Sequence, residues 1–290
     1  MDLSAVFSSW DLNIPLLIST LALALLYTRG WWQLQRRAPH RFGPAQLLAF
    51  YAGLVAILIA LLSPIHKFAG WLLTVHMIQH ILLMMVAPPL ILYGAPYMPI
   101  LFGLPDSLLK DGVGPFLKST LLRKIGRFVS HPIFCWSAFV FTSIAWHLPP
   151  MYELALRSPG WHEVEHLCFL STALLFWWPV IQPWPWVTST PRWTIIVYLF
   201  LADFQNTALS ALLVFYDRVI YPTYRNIPRI GGMTALEDQA AAGSIMWVVG
   251  SLFFLVPVGL ITIEVMSSRR LVRRPKKRKI GPILAERNRL

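Results

Sequence analysis

The chain alternates long apolar runs with short polar ones, and seven of the runs approach the ~20 residues that a helix needs to cross a bilayer core. They extend over Ile14–Gly30, Ala45–Leu62, Trp71–Gly94, Pro132–Leu148, His162–Ile181, Trp193–Phe215 and Leu236–Met266. The polar stretches between them are too short to form a separate soluble domain, and no internal repeat is visible. The pattern predicts an all-α integral membrane protein, with a seven-helix transmembrane domain over residues 1–266 and a basic tail over 267–290. Between the third and fourth runs, FLKSTLLRKIGRFV gathers Leu117, Leu121, Leu122, Ile125 and Phe128 on one helical face, with Lys118, Arg123, Lys124 and Arg127 elsewhere. That segment, near 117–129, is expected to lie in the membrane interface and not to span it. Ahead of the last run, Thr234 and Glu237 have the spacing of a capping box. The loop from Tyr221 to Thr234, with Pro222, Pro228, Gly231 and Gly232, is expected to cover whatever lies beneath it.

Composition agrees with this class: 56% of the 290 residues are hydrophobic and only 13% are charged. The mean hydropathy of +0.58 is too high for a soluble domain. Charge adds an orientation. Counted loop by loop, alternate polar segments hold 20 of the 25 Lys and Arg, and the opposite segments hold only Lys67, Arg157, Arg218, Arg225 and Arg229. Basic residues stay on the cytoplasmic side, so the N-terminus is expected outside and the C-terminus in the cytoplasm. The net charge of +12 is thus mainly a topology signal, and the tail RRLVRRPKKRK is expected to meet anionic lipid, not nucleic acid. The opening MDLSAVFSSWDLN lacks a basic n-region and a small-residue cleavage site, so the first span itself is expected to direct insertion. Cys135 and Cys168 both fall in apolar runs and offer no disulfide framework.

The third run carries chemistry that its apolar character does not call for. His76 and His80 are four residues apart, on one helical face, roughly 7 and 13 Å below Trp71 at about 1.5 Å per residue. His147 ends the fourth span, His162 and His166 open the fifth, and His66 sits in the short loop before the third. With the expected topology, six of the eight histidines lie toward the outer side, and only His40 and His131 lie near the cytoplasm. Imidazoles from three helices at one level predict a metal or haem site, since interhelical hydrogen bonds alone do not demand such a gathering. Imidazole suits zinc, copper and iron, and thioethers nearby, from Met77, Met84, Met85, Met151 or Met246, would favour reduced copper. Glu163, Glu165 and Asp238 add carboxylates on the same side. A single ion takes about four ligands, so the set implies two sites or alternating ligands. The pentad HEVEH matches both H-E-x-x-H and H-x-x-E-H, which keeps open a zinc-dependent membrane hydrolase with Glu163 or Glu165 as base. Asp203, near the middle of the sixth span, is either an interhelical hydrogen-bonding group or part of a proton relay.

Four blocks carry a resemblance: HMIQHILLMMVAPPLILYGAP, the HP that opens a span ending WHLPPMYELAL, HEVEHLCFLSTALLFWWPVI, and EDQAAAGSIMWVVGSLFF. Together, from about Ser63 to Val256, they resemble the multi-spanning CtaG family of cytochrome c oxidase assembly factors, distinct from the single-span copper-delivery proteins of the same name. The family pattern matches His76, His80, His147, His162, Glu165, His166, Asp238, Gln239, Gly243, Met246 and Trp247. Glu163 stands outside that pattern, as does DFQNTA around Asp203. The resemblance implies a seven-helix bacterial plasma-membrane protein that helps to mature a haem-copper oxidase at its copper-handling step. Its metal ligands would come from His76, His80, His147, His162, His166, Glu165, Asp238 and Met246. Its partners would be oxidase subunits and an extracytoplasmic copper chaperone. No catalytic turnover is required, and a zinc hydrolase and a bis-histidine haem protein stand as the alternatives.

Overall fold

The computed structural model describes residues 10–115, 119–185, 190–227 and 232–273. The regular elements among them are helical and no strand occurs. In chain order the main helices are α1 (Ile14–Arg37), α2 (Pro44–Leu62), α3 (Pro64–Ala69), α4 (Leu73–Tyr93), α5 (Tyr97–Gly103), α6 (Thr120–Val129), α7 (Pro132–His147), α8 (Pro149–Arg157), α9 (Pro159–Ile181), α10 (Arg192–Phe215) and α11 (Ala235–Arg273). Helices α1, α2, α4, α9, α10 and α11 are long and apolar enough to cross a membrane. The fourth expected span is different. Helix α7 has 16 residues, about 24 Å at 1.5 Å per residue, which falls short of a ~30 Å core. It reaches span length only with α6, from which it is bent by 62°. His131 is extended there and Pro132 opens α7, a residue pair that disfavours helix through the joint. The spans therefore number six, or seven if the bent pair is one. On α6, Leu121, Ile125 and Phe128 are exposed and no side chain is buried, the arrangement expected of an interfacial helix. Leu117 and residues 274–290 of the basic tail lie outside the described residues.

The bundle is apolar on the outside as well as in the core. Leu21, Phe141, Leu167, Phe204 and Leu252 face outward, whereas His76, Gln79, Glu165, Asp238 and Gln239 are buried. Such an inversion suits a lipid environment, where polar groups must find partners inside the protein. Close backbone contacts tighten it. A Cβ on Gly30 would lie 1.8 Å from the Pro99 carbonyl, and one on Gly103 would lie 1.9 Å from the Leu26 carbonyl, so only glycine lets α1 and α5 meet there.

Helix α4 is the most buried of the long helices and touches α2, α3, α9 and α11. Its middle is a π-helical turn over Leu82–Val86. The cause is in the sequence, because Pro88 and Pro89 have no N–H to give to the carbonyls of Met84 and Met85. The Met84 carbonyl is taken instead by the Trp177 indole of α9, at 2.9 Å. One hydrogen bond thereby repairs the ladder and pins α9 against α4. Below this point the aromatic side chains of Phe139, Phe169, Phe176, Trp177, Tyr198 and Phe254 form the largest core cluster.

Three connections meet at one end of the bundle. Tyr221 donates to the His147 carbonyl at 3.0 Å, Tyr224 donates to the Ala69 carbonyl at 2.9 Å, and Glu153 accepts from Thr223 N at 3.0 Å. The capping box expected for the last helix is formed, with Glu237 accepting from Thr234 N at 2.7 Å and Glu237 N donating to Thr234 Oγ1 at 3.2 Å. Of the loop that precedes it, residues 228–231 lie outside the described residues.

Removing the indole donor tests the repair of α4. Trp177→Phe is expected to lower stability by about 1–3 kcal/mol, since the Met84 carbonyl would be left without a partner in an apolar core. Thermal unfolding in detergent measures this, and an unshifted midpoint would mean that the π turn does not depend on α9.

Candidate metal site

Two helices supply the centre of the site. On α4, His76 and His80 lie one turn apart, and on α9, His162, Glu165 and His166 have the i, i+3, i+4 spacing that places all three on one face. The two faces meet around the Glu165 carboxylate. His80 Nε2 is 3.7 Å from its Oε1, and His76 Nε2 and His162 Nε2 are 3.8 and 4.0 Å from its Oε2. These separations are too long for hydrogen bonds. They match the ~3–4 Å between two ligands that each hold one ion at about 2 Å.

Burial makes the set unusual. His76 and Glu165 are fully buried and His80 is nearly so. Neither ring nitrogen of His76 or His80, nor either oxygen of Glu165, has a hydrogen-bond partner within the protein. Nor do His162 Nε2 and His166 Nε2. Buried polar atoms are almost always paired, so a concentration of unpaired lone pairs at one point marks a place built to hold something that accepts them.

A second group of donors abuts the first: His66 on α3 with His162 and His166, all within 4.8 Å of one another. The His66 and His162 rings stack at 5.4 Å. Gln79, itself buried, donates to the Ala60 carbonyl at 2.8 Å and lies 3.1 Å from His66 Nδ1. A ring that accepts there keeps its proton on Nε2 and has no lone pair left for an ion. Burial holds the His66 imidazole below its ordinary range, against the pull of the Asp11 and Glu163 carboxylates. Of the two groups, His76, His80 and Glu165 are therefore the better-built ion site.

The remaining expected ligands fall elsewhere. His147 donates from Nδ1 to the Ser143 carbonyl at 2.7 Å, and the residue lines a cavity together with His80 and Met246. Asp238 is at neither donor group. Its carboxylate accepts from Leu73 N and Thr74 N at 2.9 and 3.1 Å, while Thr74 Oγ1 donates to the Asp238 carbonyl at 3.1 Å. It caps the first turn of α4, three residues before His76, and so sets the register of both α4 histidines. Gln239 does similar work for the covering loop, accepting from Ile220 N at 2.7 Å. Glu163 is exposed and belongs to neither donor group, and exposed His40 and His131 lie at the opposite end of the bundle. Asp203 is half-buried on α10, outside both groups.

A lid of tyrosines closes the site from the bundle end. Tyr152 stacks on Tyr221 at 3.9 Å, its hydroxyl is 3.2 Å from that of Tyr224, and its ring lies 5.0 Å from that of His76. Glu153 fastens the lid by accepting from the Thr223 hydroxyl at 2.6 Å and from Arg157 at 3.1 Å. Gln79 and the capping role of Asp238 were the parts that sequence spacing did not disclose, and His66, counted among the outer-side histidines, was not among the expected ligands.

A multi-pass helical membrane protein with a buried imidazole and carboxylate cluster under a tyrosine lid is the class that this fold and site define. The chain belongs to the cytochrome c oxidase caa3 assembly factor family, Caa3_CtaG, whose family model matches residues 25–268. The four blocks that resembled that family all lie within the matched region. Among curated proteins, uncharacterized proteins of Mycobacterium bovis and Mycobacterium tuberculosis are each 27% identical over 280 residues, which is 94% of this chain and 42% of theirs. An uncharacterized protein of Mycobacterium leprae is 25% identical over 268 residues, 90% of this chain and 39% of its own. The chain thus spans about two fifths of the length of these curated relatives. No solved structure matches it.

The role of Asp238 is open to test. Asp238→Ala removes a charged acceptor from two backbone donors and is expected to cost about 2–3 kcal/mol. Hydrogen exchange at Leu73 and Thr74 should rise with it. Unchanged protection at those amides would contradict the capping role.

Proposed function

We propose that this chain binds copper at His76, His80 and Glu165 and supplies it to a haem-copper oxidase during assembly. The observation that carries the reading is the fully buried Glu165 carboxylate, ringed by three imidazole nitrogens at 3.7–4.0 Å and hydrogen-bonded to none of them. A carboxylate there offsets the charge of a bound cation, which is the condition for holding an ion away from water. His162 completes a set of about four donors, and His166 and His66 line the approach on the bundle-end side. Membership of an oxidase assembly family makes copper the cargo that fits both the donors and the biology. Zinc would fit the donors alone.

The alternatives draw less support. A bis-histidine haem needs a slot of hundreds of cubic ångströms between its ligands, whereas the cavity bordered by both His80 and His147 is about 30 Å³. A hydrolase of the H-E-x-x-H type needs Glu163 beside the ion, and that residue is exposed, whereas one of the H-x-x-E-H type would use Glu165 as its base and predicts that Glu165→Gln keeps its metal while losing function. For orientation, the 20 to 5 distribution of Lys and Arg supports a site at the outer face of a bacterial plasma membrane, with the residues after α11 in the cytoplasm. The client would be an oxidase subunit and the donor an extracytoplasmic copper chaperone. The basic tail would rest on anionic lipid.

Loss of a ligand should separate the site from the bystanders. His76→Ala, His80→Ala, Glu165→Gln and His162→Ala are expected to weaken copper binding by at least the ~10–100-fold seen when an outer partner of a metal ligand is lost. His40→Ala, His131→Ala and Glu163→Gln should leave it unchanged, as measured by metal content of the purified protein. In cells, deleting the chain should leave oxidase polypeptides present but inactive, with partial rescue by excess copper through mass action. Full loss of function in Glu163→Gln with metal retained would replace this reading by the hydrolase.

Topology is checked independently. A reporter active only in the cytoplasm should work after Leu290 and fail when inserted beside Arg225. The reverse result would put the histidines on the cytoplasmic side and remove delivery from outside.

A further inference from the structure

Directly beyond His80, away from the lid, lies a cavity of about 30 Å³ bordered by Met77, His80, Met84 and Met85 of α4, His147 of α7 and Met246 of α11. Its volume is roughly that of one water molecule. Methionines often serve as filler for irregular cores. Here a cavity persists among four of them, and two further features give it the form of a site.

The first is His147. Because its Nδ1 donates to the Ser143 carbonyl at 2.7 Å, the ring's lone pair is on Nε2, which is buried and has no partner within the protein. An imidazole with one nitrogen tied to a backbone carbonyl and the other free is the standard outer support of a metal ligand. The second is the register of α4. Met77, His80 and Met84 form one stripe at i, i+3 and i+7, and the π turn over Leu82–Val86 brings the next residue, Met85, to the same cavity. The lining then offers two imidazoles and four thioethers, beside the neutral oxygens of Ser143, Gln205 and Asn206, and no carboxylate.

We propose that this cavity is a second metal site, selective for a soft monovalent cation, copper(I), and distinct in chemistry from the carboxylate site one turn above. The inference rests on the reading that the chain handles copper. Thioethers favour copper(I) over zinc. The absence of a carboxylate from the lining selects by charge as well, since the cost of burying an ion grows with the square of its charge and is about four times larger for a divalent ion. His80 borders both sites, so an ion can pass from one to the other without leaving the protein. His147 also lines an outer cleft of about 410 Å³ between α7 and α10, together with Leu148, Leu209 and Tyr221, which gives the soft site its own way out. Copper enters and leaves this site as copper(I), and no electron is transferred.

The test uses the full chain in lipid nanodiscs, loaded anaerobically with copper(I), silver(I) or zinc(II) and read by metal content and X-ray absorption. The wild-type protein should bind one more equivalent of copper(I) or silver(I) than of zinc(II), with sulfur neighbours around the monovalent ions and only nitrogen and oxygen around zinc. Met77→Leu/Met84→Leu/Met246→Leu, which conserves volume, should lose that equivalent and the sulfur signal while retaining zinc. Copper bound with no sulfur neighbours in the wild type, or the triple variant keeping the full copper(I) load, would overturn the soft site and leave the carboxylate site standing. Water alone in the cavity after silver(I) loading would overturn it equally. Silver(I) with sulfur neighbours in Glu165→Gln, beside lost zinc, would support both sites separately. Failure to bind any of the three metals would sink both.

Discussion

A carboxylate buried without a hydrogen bond is among the most costly groups a helical bundle can hold, and Glu165 is surrounded by histidines at distances that do not relieve it. Much of the packing at this end of the molecule is needed to keep it so. Asp238 fixes where α4 begins, so that His76 and His80 arrive at the level of Glu165. Trp177 ties α9 to the carbonyl that Pro88 leaves free, so the two donor helices cannot slide past each other without losing that bond. Glu153 and the three buried tyrosines hold the covering loop down, which keeps water from solvating the carboxylate. Each of these contacts stabilises a geometry that without a cation is unfavourable at its centre, a pattern of strain kept at a functional point and compensated by its surroundings.

Much of this was legible in the sequence, and the limits have physical reasons. Span positions follow from hydropathy, because lipid leaves few other options for long apolar runs. The histidines could be assigned to one level because helix rise and alternating topology are rigid rules. The capping box at Thr234 and Glu237 was local and appeared as expected. What sequence could not disclose was long-range pairing. Asp238 has the composition of an outer-side ligand, yet its oxygens go to amides 164 and 165 residues away in the chain. Gln79 looks like one more polar residue between two histidines, and only the packing of α3 shows that it sets the proton of the His66 ring. The fourth span, expected over Pro132–Leu148, is a 16-residue helix that reaches span length only together with α6, from which it is bent by 62°.

The choice between the two glutamates of HEVEH shows how geometry decides where a motif is ambiguous. On a helix, residues 162, 165 and 166 share a face and residue 163 lies about 100° away from 162. The face shared with α4 is the buried one, so Glu165 enters the cluster and Glu163 is left exposed. The i, i+3, i+4 reading of the pentad is thus realised and the i, i+1, i+4 reading is not.

The distribution of polar groups along the bundle bears on whether an ion held at the proposed site could cross the membrane. Both donor groups and the thioether cavity lie in the half of the molecule that includes the lid. Next to the cavity, Phe139, Phe176, Trp177 and Phe254 pack into an aromatic layer, of which Phe139 and Phe254 border the cavity itself, and the polar atoms of Trp177 and Tyr198 within it are spent on the carbonyls of Met84 and Phe176. Among the described residues, no group of three or more metal-ligating side chains occurs past that layer. An ion moving through it would have to shed its ligands and find none, at a desolvation cost of several kcal/mol or more. If the chain handles copper as proposed, donors gathered in one half of the described bundle favour uptake and release at one face over passage through it.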